Sequence, residues 1–443
     1  MKFTYDENTK KIPKNTSHLI YDINIAIDEL PNSITHLTFG RHFNQVVDNL
    51  PNSITHLTFG SNFNKPVDNL PCSITHLTFG DKFNQPVDNL PNSITHLTFG
   101  YNFNKCIVDL PKSITHLVLS EKFNSFMFGY IPNSVTHLTF GENFNLPVDK
   151  LPCSITHLTF GSYFNERIDK LPCSITHLTL GNCFNERIDN LPYSITHLTF
   201  GEKFNKPVDK LPCSITHLTF GEKFNKPVDK LPCSITHLTF GQDYNRLTDK
   251  LPCSITHLVL GEYQEIGKLP NSITHLVLGK KFNKPIKYLP NSITHLTFGS
   301  DFNQSVDKLP HSITHLTFYN NFDKSIDKIT RFVKVFIFIC HKFNLSYLEK
   351  LNNKYIIYRN NRDIIYKHNN FIVIKIGKTG MYYMENYKES LEKIFDLEKI
   401  LNLQYFNQEI LFEKLTQYVF NPQRLLRIAQ KYNLTIDEYL DFL

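Results

Sequence analysis

A 20-residue unit recurs almost unchanged along most of this chain, a pattern that rules out a conventional globular domain before any other property is considered. From Leu30 the unit reads Leu-Pro-Asn-Ser-Ile-Thr-His-Leu-Thr-Phe-Gly-x-x-Phe-Asn-x-x-Val-Asp-Asn, and it begins again at Leu50. Further units open at Leu70, Leu90, Leu110, Ile131, Leu151, Leu171, Leu191, Leu211, Leu231, Leu251, Leu269, Leu289 and Leu309, which makes fifteen. The unit at Leu110 has 21 residues, and the one at Leu251 has 18, having lost its Phe-Asn pair. Ile12-Pro13 with His18-Leu19 reads as a worn sixteenth copy, and Ile329 to Asn344 as a fading one. A fixed period of this length implies stacked supersecondary units.

Within a unit, Leu30, Ile34, Leu37, Phe39, Phe43 and Val47 are too irregularly spaced for an amphipathic helix, whereas His36-Leu37-Thr38-Phe39 alternates as a half-buried strand does. Leu37 and Phe39 are therefore expected inside, with His36 and Thr38 outside. Gly40 and its counterparts follow the strand in thirteen of the fifteen units, the exceptions being Ser120 and Tyr319, and are expected to permit a sharp backbone turn. Pro31 and its equivalents open every unit in what is expected to be an extended connector. Six buried apolar side chains contribute roughly 1.5–3 kcal/mol each. Ordering about 20 residues costs on the order of 1–2 kcal/mol apiece. One coil cannot fold alone, and stacking at ~4.8 Å joins the coils into a shared core. The expected fold is a β-rich solenoid of about 15–17 short-strand coils, leucine-rich-repeat-like, with a small mixed or helical C-terminal region. Residues 1–29 read as an N-terminal cap with one degenerate repeat, 30–328 as the solenoid, 329–380 as a degenerate repeat and strand-rich cap, and 381–443 as a helical tail.

The units resemble FNIP repeats, named for the Phe-Asn-x-Pro stretch seen here as Phe63-Asn64-Lys65-Pro66, Phe83-Asn84-Gln85-Pro86 and Phe204-Asn205-Lys206-Pro207. The resemblance covers roughly residues 12–344. It implies a relative of the leucine-rich repeats of the kind found in cellular slime moulds and giant DNA viruses. Some viral members carry an N-terminal F-box, which would recruit substrates to a ubiquitin ligase; here the residues before Leu30 read as a repeat, so an F-box is not expected. Ile34-x-x-Leu37-x-Phe39 fits the leucine-rich pattern, but Asn44 falls two places later than the Asn of that pattern.

One His occupies each unit: His36, His56, His76, His96, His116, His137, His157, His177, His197, His217, His237, His257, His275, His295 and His315. Stacked in register, these imidazoles form an outward ladder. They could serve as a metal array or a pH sensor, or simply as outward strand residues of a duplicated unit that stack on themselves. No carboxylate or Cys alternates with them on that face to complete a metal site, so no metal or other cofactor is expected. Cys72, Cys153, Cys173, Cys213, Cys233 and Cys253 share the third position of their units with Asn elsewhere and are expected as reduced filler thiols. Asn44 and its counterparts through Asn303 are expected to form an internal ladder, their amides bonded to backbone. Gly377-Lys378-Thr379-Gly380 mimics the end of a phosphate-binding loop but lacks its leading glycine, since Ile372 stands there. No nucleophile elbow, H-E-x-x-H or C-x-x-C motif is present, and an enzyme is not expected.

The variable positions are the two residues after the Gly, such as Arg41-His42, Asp81-Lys82, Tyr101-Asn102, Ser162-Tyr163 and Glu202-Lys203, together with the residue after Asn. These rim loops are the expected partner-binding residues. The near-constant His/Thr face reflects either recent duplication or a repetitive ligand.

The net charge of +6 is spread over 443 residues, with Lys and acidic residues interleaved, so a clustered basic face for nucleic acid is not expected. Met1 to Lys11 lacks an apolar signal core, and Phe332 to Cys340 is too short to span a membrane. Neither a membrane nor a small-molecule substrate is expected as a partner; the expected setting is intracellular, in host cytoplasm. Strand-like stretches continue through residues 332–376, and helical patterning follows over about 386–402, 407–420 and on to a capping box at Thr435 and Glu438. The expectation is a protein-interaction scaffold with an unknown protein partner. A ubiquitin-ligase adaptor that recruits through the helical tail is the alternative.

Overall fold

The computed structural model of the chain describes residues 1–7, 11–27, 29–123, 130–286, 288–319 and 321–339, and beyond them the strand backbones 355–359, 364–368, 371–375, 381–385 and 394–395. Two compact units are present, Met1–Ser272 and Ile273–Leu443.

In the first unit each repeat contributes one short strand: His36–Phe39, then His56–Thr58 and its successors through His257–Val259. Neighbours pair parallel and strictly in register, so that His36 faces His56, Leu37 faces Leu57 and Thr38 faces Thr58. The worn copy supplies His18–Tyr21, paired with His36–Phe39. Lys2–Tyr5 adds a further parallel strand beside it; the alternation of Phe3 and Tyr5 was its sequence signal. The second unit is built from the same kind of coil: His275–Val277, His295–Thr297, His315–Tyr319, Val335–Ile339 and Tyr355–Arg359 pair in that order, all parallel. Antiparallel strands Ile364–His368, Phe371–Lys375 and Met381–Glu385 follow. Met381–Glu385 and Ile394–Phe395 are strands inside the segment that the sequence pattern assigned to helix. The remainder of that tail, and Gly377 to Gly380, lie outside the described residues.

The alternation in each strand positions the core. Leu37 and Phe39 are buried while His36 is half-buried and Thr38 exposed. Ile34, Phe43, Val47 and Leu50 complete the apolar interior. Phe39 stacks on Phe43 of its own coil at 3.9 Å and on Phe59 of the next at 5.4 Å, and Phe43 stacks on Phe63 at 6.2 Å. Two aromatic columns therefore run through the core, the first interrupted where Leu119, Leu180, Leu260 and Leu278 take the place of Phe.

Two local expectations change. Pro31 opens a turn, its carbonyl accepting the Ile34 N–H at 3.1 Å, where the sequence suggested only an extended connector. The glycine after the strand is required by close approach between coils and not by an unusual turn. A Cβ on Gly60 would collide with the carbonyl of Gly40, and a Cβ on Gly161 with that of Gly141. Ser120, which replaces one of these glycines, is buried with its hydroxyl donating to the Phe103 carbonyl.

Candidate functional site

Two surfaces of the stack present side chains outward. The first is the strand face. From His18 to His257 every imidazole stacks on the next, with ring centroids 4.1–4.2 Å apart and planes within 16° of parallel. In the second unit His275, His295 and His315 stack the same way at 4.1 Å. Each ring is fixed by the residue before it: Thr55 Oγ1 lies 2.9 Å from His56 Nδ1 and 3.2 Å from the Thr35 carbonyl. That carbonyl already accepts the N–H groups of Thr55 and His56. The hydroxyl thus bridges the imidazole Nδ1 and the carbonyl of the preceding coil, and so sets the angle of the ring.

This geometry suits a structural ladder better than a metal array. Parallel rings direct their Nε2 atoms along parallel lines, whereas a shared metal needs converging lone pairs. Among the described residues no group of three His, Cys, Asp or Glu is placed to hold a metal ion. Burial, and then the charge of neighbouring imidazoles, pushes the pKa of His36, His56, His96, His137, His157, His197, His217 and His237 below the ordinary value. His315, more deeply buried and close to His275 and Lys334, is pushed down to about 4.

The second surface is the edge beyond the glycine. Arg41, His42, Asp81, Lys82, Tyr101, Tyr163, Glu202 and Lys203 are exposed there, and Ser162 is half-buried. Their backbones are tied coil to coil, as where the Asn62 N–H donates to the Arg41 carbonyl at 3.0 Å and the Lys82 N–H to the Ser61 carbonyl at 2.9 Å. Their side chains are left largely free to vary. Beside them runs the asparagine column. Asn44 Oδ1 accepts the backbone N–H of Asn64 at 2.9 Å, and Asn64 Oδ1 that of Asn84 at 2.9 Å. The amides do bond to backbone, but the column lies at the surface, half-buried to exposed, and is not internal.

Where these two columns meet, an open groove of about 650 Å³ is lined by Asn64, Lys82, Asn84, Asn102, Asn104, Lys122 and Asn143. It shares Asn64 and Lys82 with a second groove that adds Asn24, His42, Asn44 and Asn62. The rim residues His42 and Lys82 are thus brought together with a run of amides. The asparagine lining escapes a reading of one unit at a time, because it needs the columns aligned across coils; the 20-residue period was the signal that could have supplied it. Elsewhere, Asp149, Asp209 and Asp229 pair with Lys170, Lys230 and Lys250 of the following coils at 2.9–3.7 Å, exposed contacts of about 0–1 kcal/mol each. Cys72, Cys153, Cys173, Cys213, Cys233 and Cys253 are free and exposed. Among the described residues no helix is long and apolar enough to cross a membrane.

The irregular coil marks a fault in the core. In the unit at Leu231, Tyr244 and Thr248 replace the usual Phe and Val, and their buried hydroxyls have no protein partner among the described residues. Burial pushes the Tyr244 phenol up. In the short coil that follows, Gln264 is buried where the Phe is missing, with Oε1 accepting the Gly261 N–H and Nε2 donating to the Arg246 carbonyl.

A family match and one solved structure agree with this architecture. The FNIP Repeat family matches in overlapping windows that run from residue 21 to residue 308. A solved structure described as CroV588, a novel circular leucine-rich-repeat protein, is similar to this chain at 37% identity with a TM-score of 0.66. The alignment covers 81% of this chain and 65% of CroV588, so this chain spans about two thirds of that protein's length. YopM from Yersinia enterocolitica aligns over 73% of this chain and 80% of its own, at 16% identity and a TM-score of 0.44. No curated protein matches.

Proposed function

The chain belongs to the FNIP-repeat family, and from that premise we propose that it is a non-enzymatic protein-interaction scaffold that recognises its partner through the edge beyond the glycine. One observation carries this reading: the positions that differ from coil to coil, Arg41-His42, Asp81-Lys82, Tyr101, Ser162-Tyr163 and Glu202-Lys203, lie together on one exposed edge of an otherwise uniform stack. A rigid parallel ladder holds them at a regular spacing of ~4.8 Å, which limits the entropy lost on binding. The His/Thr face is less suited to discriminate, because every coil offers the same groups. The setting we propose is intracellular.

The test is affinity capture from cells with the full chain and with a variant carrying Ser at Tyr163, Glu202 and Lys203. Loss of the captured proteins with unchanged melting is the expected outcome. Undiminished capture by the variant would contradict the reading.

A further inference from the structure

The groove on the rim of the first coils has a chemistry that the rest of the edge lacks. Its lining contains asparagines, His42, Lys82 and Lys122, with no carboxylate and no aliphatic side chain. Along one column the residues read His42, Asn62, Lys82, Asn102, Lys122, Asn143, so that His42, Lys82 and Lys122 alternate with amides coil by coil. The parallel column reads Asn24, Asn44, Asn64, Asn84, Asn104. The Oδ1 atoms of Asn44, Asn64 and Asn84 are occupied by the next coil's backbone N–H, and their Nδ2 groups donate to no protein group among the described residues. Lys82 has no ion-pair partner among the described residues, although the exposed Asp81 precedes it. Lys122, preceded by Glu121, rests its ammonium 5.1 Å from the Tyr101 ring centroid, and that ring is 41% exposed. The later coils lose the alternation: the same position holds Tyr163, Cys183, Lys203, Lys223 and Asp243, and Glu166 and Glu186 appear after the Asn.

A row of free amide donors with a cation every second coil defines its ligand by spacing. Two coils advance about 9.6 Å. A polyproline II segment advances about 9.3 Å in three residues and makes no internal hydrogen bonds, so its carbonyls are free to accept. A β-strand presents same-face side chains at about 6.7 Å and falls out of step within two coils. Resting on the scaffold reading above, we infer that the groove of the coils from Leu30 to Ile131 binds an acidic, proline-rich segment in the polyproline II conformation. Its Asp or Glu residues at every third position meet Lys82 and Lys122, and its backbone carbonyls accept from the asparagine column. Tyr101, between the two lysines in the stack, offers a ring surface for a proline, as aromatic residues do in other grooves for such segments.

The test is fluorescence anisotropy of the full chain with labelled peptides at low and at moderate salt. One peptide carries several Glu-Pro-Pro repeats; a second has the same composition with its Glu residues clustered at one end. The repeat peptide is expected to bind about tenfold or more tightly than the clustered one. The pair Lys82→Ala and Lys122→Ala should weaken binding about tenfold, and Asn84→Ala further, while Lys230→Ala with Lys250→Ala, on another column, should change it less than about twofold. All these lysines are exposed, so melting temperature serves as the check on folding. Equal affinity for the two peptides, or equal effects of the two lysine pairs, would overturn the inference. So would tighter binding of a polyuronate than of the peptide through the same lysines, since the ligand would then be an acidic glycan. None of these outcomes touches capture through Tyr163, Glu202 and Lys203, so the scaffold reading stands or falls separately.

Discussion

The strand face and the rim edge are built by the same coils only a few residues apart, yet one is nearly constant and the other varies. The difference lies in how far each side chain is committed to the stack. His157 is stacked on His137 and His177 at 4.1 Å and held at Nδ1 by Thr156. Replacing it breaks two ring contacts and a hydrogen bond. Tyr163 is held by its backbone, whose N–H donates to the Glu142 carbonyl at 2.9 Å, and its ring is exposed. A side chain with no part in the ladder can change without cost to the fold, and that freedom is what a recognition edge needs.

Substitutions graded from core to rim can break this contrast. Phe164→Ala should have the largest effect. The ring is fully buried, stacked on Phe160 at 3.8 Å and flanked by Phe144 and Phe184 at 6.1 Å, and its loss should cost about 3–5 kcal/mol. Because repeat arrays open locally, the loss is best read as faster amide exchange in the coils around Phe164. Gly161→Ala should cost about 1–3 kcal/mol by forcing the coils apart, read as a lower urea midpoint; an unchanged midpoint would mean that the coils are not in close backbone contact.

Acidification should weaken the face more than the rim. The folded-state pKa of the shifted histidines lies below the ordinary 6.5, so the unfolded chain binds protons first. Their stabilising contribution is complete above about pH 6.5 and is lost as pH falls from there through the lowered folded values. The urea midpoint should therefore be lower at pH 5 than at pH 7.5, and His137→Gln with His157→Gln should narrow that gap. A midpoint independent of pH in the native chain would show that the imidazoles do not stack in register. At the edge, Asn84→Ala removes the acceptor for the Asn104 N–H and should cost about 1 kcal/mol. Tyr163→Ser, which touches no ladder, should stay within about 0.5 kcal/mol in chemical denaturation.

The period made the fold legible: the alternation of His36 to Phe39 fixed the strand and its inward face, and His18-Leu19 revealed the worn coil. What stayed hidden depends on contacts between coils rather than within one. Gly60 looks like a turn residue in its own unit and is needed because the Gly40 carbonyl lies where its Cβ would be. Asn44 looks internal because it follows a buried Phe, but its bond to the Asn64 backbone holds it at the surface. The groove combines both difficulties, since Lys82 and Lys122 become a pair only once two coil spacings separate them along one column. The rim residues were legible as variable, but their shared edge emerged only when the columns aligned.

Exchanging rim residues between coils tests the division of labour most directly. A variant in which Ser162-Tyr163 and Glu202-Lys203 trade places keeps composition, charge, core and His ladder intact and alters only the order of groups along the edge. Binding of the captured partner should fall about tenfold or more while the melting temperature and the pH dependence of the urea midpoint stay those of the native chain. Full partner binding by the exchanged variant would contradict recognition by the rim and return attention to the uniform face.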